Sequence, residues 1–234
     1  MTERPPRELS PENLKNLIDD INNFREEECK EYLGLVPHLL IRGSFRDNRD
    51  IIRIKTEYRH HSGDSDYIIS ANVSANGRSC PRVYVWEIKA PQCYVFEKRT
   101  ANRAQPSLDL IQAETQLPSY YDDLKRDPET LSEEFGVSSS EDLCFGGIII
   151  GCNRTKVRRE TNPTEIDILF NRAIRCRNYL YEHAKGSIRL ILWDEIHIYL
   201  SADRVQALSR GPETASPFET PRITSDTISV FGNE

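Results

Sequence analysis

The chain has 234 residues, of which 38% are hydrophobic and 29% charged, and it carries a formal net charge of -6. These values exclude a disulfide-stapled miniprotein and a chain disordered throughout, because a protein of this length buries roughly 70% of its unfolded surface. The acidic balance also excludes a protein that coats nucleic acid through bulk charge, so any DNA contact must be local.

In chain order, residues 1–9 read as an N-terminal arm, residues 10–203 as the folded domain and residues 204–234 as a flexible, Ser/Thr/Pro-rich tail. Ser10 followed by Pro11 and Glu12 is a helix start. Leu14, Leu17, Ile18, Ile21 and Phe24 then continue at helical spacing, predicting one helix to about Leu33 that Pro37 ends. Three strands are predicted over Ile51–Tyr58, Tyr67–Val73 and Val83–Ala90, separated by HHSGDS and SANGRS, a spacing that suggests an antiparallel meander. A helix follows over Pro106–Lys125 with Leu108, Ile111 and Thr115 on one side, then an acidic, serine-rich loop over Asp127–Asp142. The continuous apolar run FGGIIIG, Phe145–Gly151, reads as a strand buried on both faces. A second long helix is predicted over Glu165–Ala184, with Gly186 as its C-cap, and a last strand over Ile188–Leu192. The order predicts an α/β sheet with a meander on one side and crossover helices on the other.

No apolar run approaches the roughly 18–20 residues that span a bilayer, and MTERPPRELSPENL has no signal-peptide core, so a cytoplasmic protein without membrane contact is expected. The six cysteines are widely separated, with no C-x-x-C pair, and read as reduced core thiols. The five histidines have no metal-ligand spacing to any of them, which argues against zinc. Gly146, Gly147 and Gly151 are not followed by G-K-[ST], so nucleotide hydrolysis has no support.

The stretch that can carry chemistry is VYVWEIKAP. The strand's period of two puts Val83, Val85, Glu87 and Lys89 on one face, projecting a carboxylate and an ammonium together. Charges inside an apolar strand are tolerated when paired or metal-bound. An edge-strand salt bridge is the plain alternative. Asp66 opens the preceding strand and in a meander lies across from Glu87, so two carboxylates share a pocket with a lysine, a donor set suited to Mg²⁺ or Mn²⁺. Glu28-Cys29-Lys30 repeats the E-x-K pattern, but in a helix residues two apart point to different sides. Gln112, Gln116 and Tyr120 recur every four residues and form a polar stripe on the helix predicted over Pro106–Lys125. Lys98, Arg99 and Arg103 follow the E-x-K strand, while Arg154, Lys156, Arg158 and Arg159 follow the central strand, so two basic loops are candidate phosphate contacts. Trp86, Tyr94 and Phe96 read as core or interface residues.

Taken in order, Asp66, Glu87-x-Lys89 and Gln116-x-x-x-Tyr120 resemble the PD-(D/E)xK nuclease superfamily, and within it Shedu-type antiphage defence nucleases. The resemblance extends from EECKEYLGLVPHLL through DYIIS, WEIKAP, QLPSYY and GGIIIGCNR to RLILWDEI. It implies a restriction-endonuclease-like αβββαβ core, a mixed sheet flanked by helices, and a Mg²⁺-dependent endonuclease, with Mn²⁺ as a substitute cation, acting on DNA as a homo-oligomer. Asp66, Glu87 and the main-chain carbonyl of Ile88 are then the metal ligands, with Asp64 as the alternative aspartate. Lys89 orients the attacking water, Gln116 and Tyr120 assist from the helix, and Glu27 or Glu28 completes the site from the first helix. Lys98, Arg99, Arg103, Arg154 and Lys156 are the DNA contacts. The departures are Ser65 where the family has proline and Pro118 inside the helix, which removes one helical hydrogen bond. The alternative is a non-catalytic binding or assembly module on the same fold.

Overall fold

The computed structural model describes residues 8–41, 51–59, 63–75, 78–183, 188–209 and 228–229. Most of the arm, Gly186 and most of the tail beyond 209 lie outside the described residues. Ser10 caps α1 (Pro11–Asp19) by accepting from the Asn13 backbone N–H, with Pro11 in the first helical turn. The predicted single helix to Leu33 is not formed. Asp20, Asn22 and Asn23, residues whose side chains compete for backbone hydrogen bonds, break it. Ile21 and Phe24 are 57% and 74% exposed rather than on a buried stripe. The chain restarts as α2 (Glu26–Lys30), a 3-10 turn (Leu33–Leu35) and α3 (Pro37–Leu40). Pro37 therefore opens a helix instead of closing one, as its fixed φ and absent N–H favour.

The main sheet has the meander that the sequence predicts. β1 (Ile51–Arg59), β2 (Asp64–Ala75) and β3 (Arg78–Ile88) pair antiparallel, with Ile54↔Ile69 and Ile68↔Val85 among the partners. β6 (Leu143–Ile149) then joins β3 in parallel, and β8 (Arg189–Ile191) joins β6 in parallel. At the opposite edge β9 (Ile228–Ser229), within the segment read as a tail, pairs with β1. The sheet is mixed and flanked by helices: its order is β8-β6-β3-β2-β1-β9. β6 is buried along its length except at the intermediate Cys144, as its unbroken apolar run requires.

Three further elements depart from the predicted pattern. The acidic segment holds α5 (Pro128–Phe135), capped by the Asp127 carboxylate on the Thr130 N–H and closed by Gly136 at φ 67. The basic stretches expected as loops form a second sheet of β4 (Phe96–Thr100), β5 (Arg103–Pro106) and β7 (Val157–Arg158) in the order β5-β4-β7. After β8 the chain enters α7 (Trp193–Ser209), started by the Glu195 carboxylate reaching back to the Leu192 N–H.

Two apolar layers sandwich the sheet. One face packs Tyr67, Ile69, Tyr84, Trp86 and Ile88 under α1, α3 and α7. The other packs Ile68, Val83, Val85 and Ile148 under α4 (Leu108–Lys125) and α5. α4 turns Leu110, Ala113, Leu117, Tyr121 and Leu124 inward, so Leu108, Ile111 and Thr115, predicted as its packed side, are exposed instead. The helix runs through Pro118 without ending. α6 (Pro163–Glu182) covers the small sheet, with Phe170 edge-on to Phe96. All six cysteines are free thiols, three of them buried. No helix among the described residues is long and apolar enough to cross a membrane.

At Gly147, in the middle of β6, an added Cβ would collide with the carbonyl oxygen of Arg189 on β8, a backbone atom that cannot step aside without unpairing the strands. Gly147→Ala is expected to destabilise the fold by about 2–3 kcal/mol and lower the thermal midpoint by roughly 5–10 °C, measured by calorimetry.

Candidate active site

The meander register decides the geometry. Tyr67 faces Trp86, so the next positions, Asp66 and Glu87, lie opposite each other on the side that α4 covers. Asp66 Oδ2 accepts from the Ile88 N–H at 2.8 Å, which fixes the aspartate to the last rung of β3. Glu87 is 1% exposed, and Lys89 Nζ donates to its Oε1 at 2.7 Å. The second oxygen, Oε2, is buried with no hydrogen-bond partner among the described residues. An unpartnered buried carboxylate oxygen carries a desolvation penalty that folding normally avoids.

Lys89 donates a second hydrogen bond, to Gln116 Oε1 at 3.0 Å, and Gln116 Nε2 in turn donates to the Tyr120 hydroxyl at 3.3 Å. An ammonium has three donors, so one remains for a further acceptor. Asp66, Glu87, Lys89, Gln116 and Tyr120 thus come together as one hydrogen-bonded set, while Gln112, a turn earlier on α4, is exposed and stands outside it. The side chain of Asp64, the alternative aspartate, lies outside the described residues.

The structure adds two residues that the sequence pattern does not single out. Lys30 of α2, which belongs to the second E-x-K, places its ammonium 3.1 Å from Asp66 Oδ1, 2.9 Å from Glu27 and 3.4 Å from Glu26, with 8% of its side chain exposed. Burial alone lowers the affinity of Lys30 for its proton. The charge of Asp66, the Glu27 hydrogen bond and Glu26 outweigh that and hold the ammonium above the ordinary lysine range. The second is Glu26, whose Oε2 accepts from the Ala90 N–H at 3.1 Å, just past the E-x-K strand. Of the two glutamates expected to complete the site, Glu28 pairs with Arg25 and Glu27 meets Lys30 and Glu57. The spacing of four between Glu26 and Lys30 aligns both on one side of a helical turn, but it is the break between α1 and α2 that brings that turn to the strand end, and no spacing signals it.

The strand end is held from several directions. The Trp193 indole donates to the Lys89 carbonyl at 2.8 Å, the Gly151 N–H donates to the Ala90 carbonyl, and Thr155 Oγ1 donates to the Pro91 carbonyl. Gln92 donates to the carbonyls of Leu17 and Asp20. Across from Asp66, Glu57 of β1 has φ 54, an uncommon conformation for a non-glycine residue in a strand, and lies within hydrogen-bonding range of Glu27.

Charge is unbalanced here. Desolvation first, and then the Asp66 carboxylate, push the Glu87 acid up to about 8 against the opposing pull of Lys89. Glu26 is likewise raised by burial, opposed by Lys30. Burial lowers Lys89, but Glu87 outweighs it and holds the ammonium above its ordinary value. These donors fit a hard divalent cation: two facing carboxylates, one with a bare buried oxygen, supply the oxygen ligands that Mg²⁺ takes while it keeps several waters. No three His, Cys, Asp or Glu side chains among the described residues form a metal cage by themselves.

The basic residues predicted to touch DNA divide into two groups. Lys98 pairs with Glu160, Lys156 with Asp167 at 2.9 Å, Arg154 with Asp19 and Arg158 with Glu97 at 3.6 Å. Arg99 and Arg103 have no ion-pair partner among the described residues, and both are exposed. Trp86 and Phe96 are buried core residues, and Tyr94 lies under the Arg158 guanidinium. No protein-family model matches the chain, and no curated protein matches its sequence.

A glutamate whose pKa is raised on folding binds its proton more tightly folded than unfolded, so stability falls as pH rises from the ordinary 4.5 towards 8 and levels off above it. In EDTA, the thermal midpoint of the wild type should fall across that window more steeply than that of Glu87→Gln. Lys30→Met should steepen the fall, because Asp66 and Glu26 lose their counter-charge. Parallel curves for wild type and Glu87→Gln would contradict this assignment.

Proposed function

We propose that the chain is a metal-dependent DNA endonuclease of the PD-(D/E)xK type, resembling the Shedu nucleases of antiphage defence. The observation that carries this reading is Glu87: a buried carboxylate with one oxygen bare, facing Asp66 and bonded to Lys89 two residues on. A structural salt bridge needs no second carboxylate opposite. The succession of helix, three-stranded meander, helix and parallel strand also agrees with a restriction-endonuclease-like core.

Asp66, Glu87 Oε2 and the main-chain carbonyl of Ile88 would hold Mg²⁺, with Mn²⁺ able to replace it. Bound there, the cation would polarise a phosphodiester and acidify a water. The rest of the work falls to the protein's own groups. Lys89, held by Glu87 and Gln116, presents its third N–H to the attacking water or to a phosphate oxygen, where negative charge develops. Gln116 fixes the lysine, and Tyr120 fixes the orientation of the Gln116 amide. Lys30 holds the Asp66 carboxylate in place through Oδ1 and offsets its charge. The set includes no group aimed at base edges, so cutting depends on DNA structure and ends rather than on sequence.

One observation favours the second reading, a nuclease-fold binding or assembly module without catalysis. Lys30 already neutralises Asp66, as an internal cation does where a metal site has been lost. Purified protein should cut or nick plasmid and linear DNA in Mg²⁺ or Mn²⁺. EDTA should abolish cutting, and Lys89→Ala should reduce it by at least about a hundred-fold. Calorimetric Mn²⁺ binding should be lost in Asp66→Ala. Absence of cutting with either metal on any DNA form, together with no Mn²⁺ binding, would leave the second reading.

A further inference from the structure

Away from the E-x-K strand, two stretches of the chain contain no acidic residue: Lys98–Leu108, which runs from the middle of β4 through β5 to the start of α4, and Ile168–Tyr181, most of α6. The acid of β4 itself, Glu97, is paired with Arg158. The fold joins the two stretches. The Arg172 guanidinium donates to the Asn102 carbonyl at the hairpin turn at 2.8 Å, and Phe170 packs edge-on against Phe96 beneath. Basic residues from both stretches therefore share one surface. Lys98 and Arg177 are neutralised by Glu160 and Glu114. Arg99, Arg103, Arg172 and Arg175 have no acidic partner among the described residues, and all are exposed.

Their placement is locally specified. Lys98 faces Ala104 and Thr100 faces Arg103, so Arg99 is the extra residue of a β-bulge, a device that re-aims a side chain. Arg172 and Arg175 are three apart on α6 and so project from the same side of the helix, between the exposed Ile168 and Tyr179. In a chain of net charge -6, four exposed guanidiniums without an acidic partner among the described residues form a local exception.

We propose that this surface, the β4–β5 hairpin with the outer side of α6, docks the phosphodiester backbone of duplex DNA. Arginine is suited to it, because its planar fork matches phosphate oxygens and stays charged at any working pH. The choice of duplex DNA among polyanions rests on the nuclease reading above, but the surface itself acts without metal. Lys98, Arg154 and Lys156, committed to internal acids, contribute little.

The test is fluorescence anisotropy with a labelled 30-base-pair duplex in EDTA over a range of salt concentrations. It compares wild type with Arg99→Ser/Arg103→Ser, Arg172→Ser/Arg175→Ser and, as an exposed-charge control away from the surface, Arg126→Ser. Each double variant should weaken binding about ten-fold and reduce the slope of log K against log salt by about 2, near 0.9 for each phosphate that is no longer neutralised. The control should match wild type. The hairpin pair touches only exposed side chains, so it reads the surface even if the α6 pair loosens the Arg172–Asn102 link. Unchanged affinity and slope in both double variants would overturn the proposal, as would tighter binding of single-stranded RNA or polyglutamate than of the duplex. The two readings fail separately: Mn²⁺-dependent cutting by wild type with unaltered binding in the variants removes the surface alone, whereas duplex binding lost in the variants without cutting under any metal removes catalysis alone.

Discussion

Burying the Glu87 carboxylate is the constraint around which the rest of the site is arranged. A charge at 1% exposure is tolerable only if neighbours answer it, and each neighbour must itself be held. Lys89 answers one oxygen, so the end of β3 has to stay rigid beyond the last rung of the sheet. Trp193 from α7, Glu26 from α2, Gly151 after β6 and Gln92 with the end of α1 all bind the main chain or the turn there. The helices on the far face of the sheet therefore do more than cover apolar surface: they fix the backbone from which the lysine projects. The cost left over is the bare Oε2, which is the reason for reading this place as a site rather than as a salt bridge.

The parts of the fold legible in the sequence are those set by local chemistry. The meander follows from three β-rich runs between turn-forming clusters, and β6 from an apolar run too continuous for a half-exposed strand. Once the register is right, period two places Asp66 against Glu87 without further information. The five residues of the hydrogen-bonded set are legible for the same reason, four lying on regular elements at a regular spacing and Lys89 just past the last residue of β3.

What is not legible depends on long-range packing. Leu14 to Phe24 fits one helical stripe, yet the chain breaks at Asp20–Asn23 and restarts as α2, whose Glu26 binds the main chain past the strand end. That turn carries Glu26 and Lys30 into the site, and no periodicity can reveal it. In Glu28-Cys29-Lys30, residues two apart do diverge on the helix, so the motif itself makes no site. The lysine matters through its neighbours three and four residues back, and through Asp66, 36 residues away. The β4–β5–β7 sheet is hidden for a related reason: β7 is two residues long and exists only because β4 offers it an edge.

Two charge systems with opposite tasks emerge. Around Glu87, five carboxylates (Glu26, Glu27, Glu57, Asp66 and Glu87) face the two ammonium groups of Lys30 and Lys89. Such a site repels a phosphate until a cation occupies it, so it cannot itself be what draws DNA to the protein. The chain's remaining basic side chains near the strand ends are mostly spent on internal acids, Lys98 on Glu160 and Lys156 on Asp167 among them. If the nuclease reading holds, affinity has to come from positive charge that is neither in the site nor neutralised. Arg99, Arg103, Arg172 and Arg175 meet both conditions, and the same acid-free stretches that bring them together keep competing carboxylates away. On that reading, separating attraction from chemistry in this way would leave the facing carboxylates to a divalent cation while a mildly acidic protein binds a polyanion through a surface of its own.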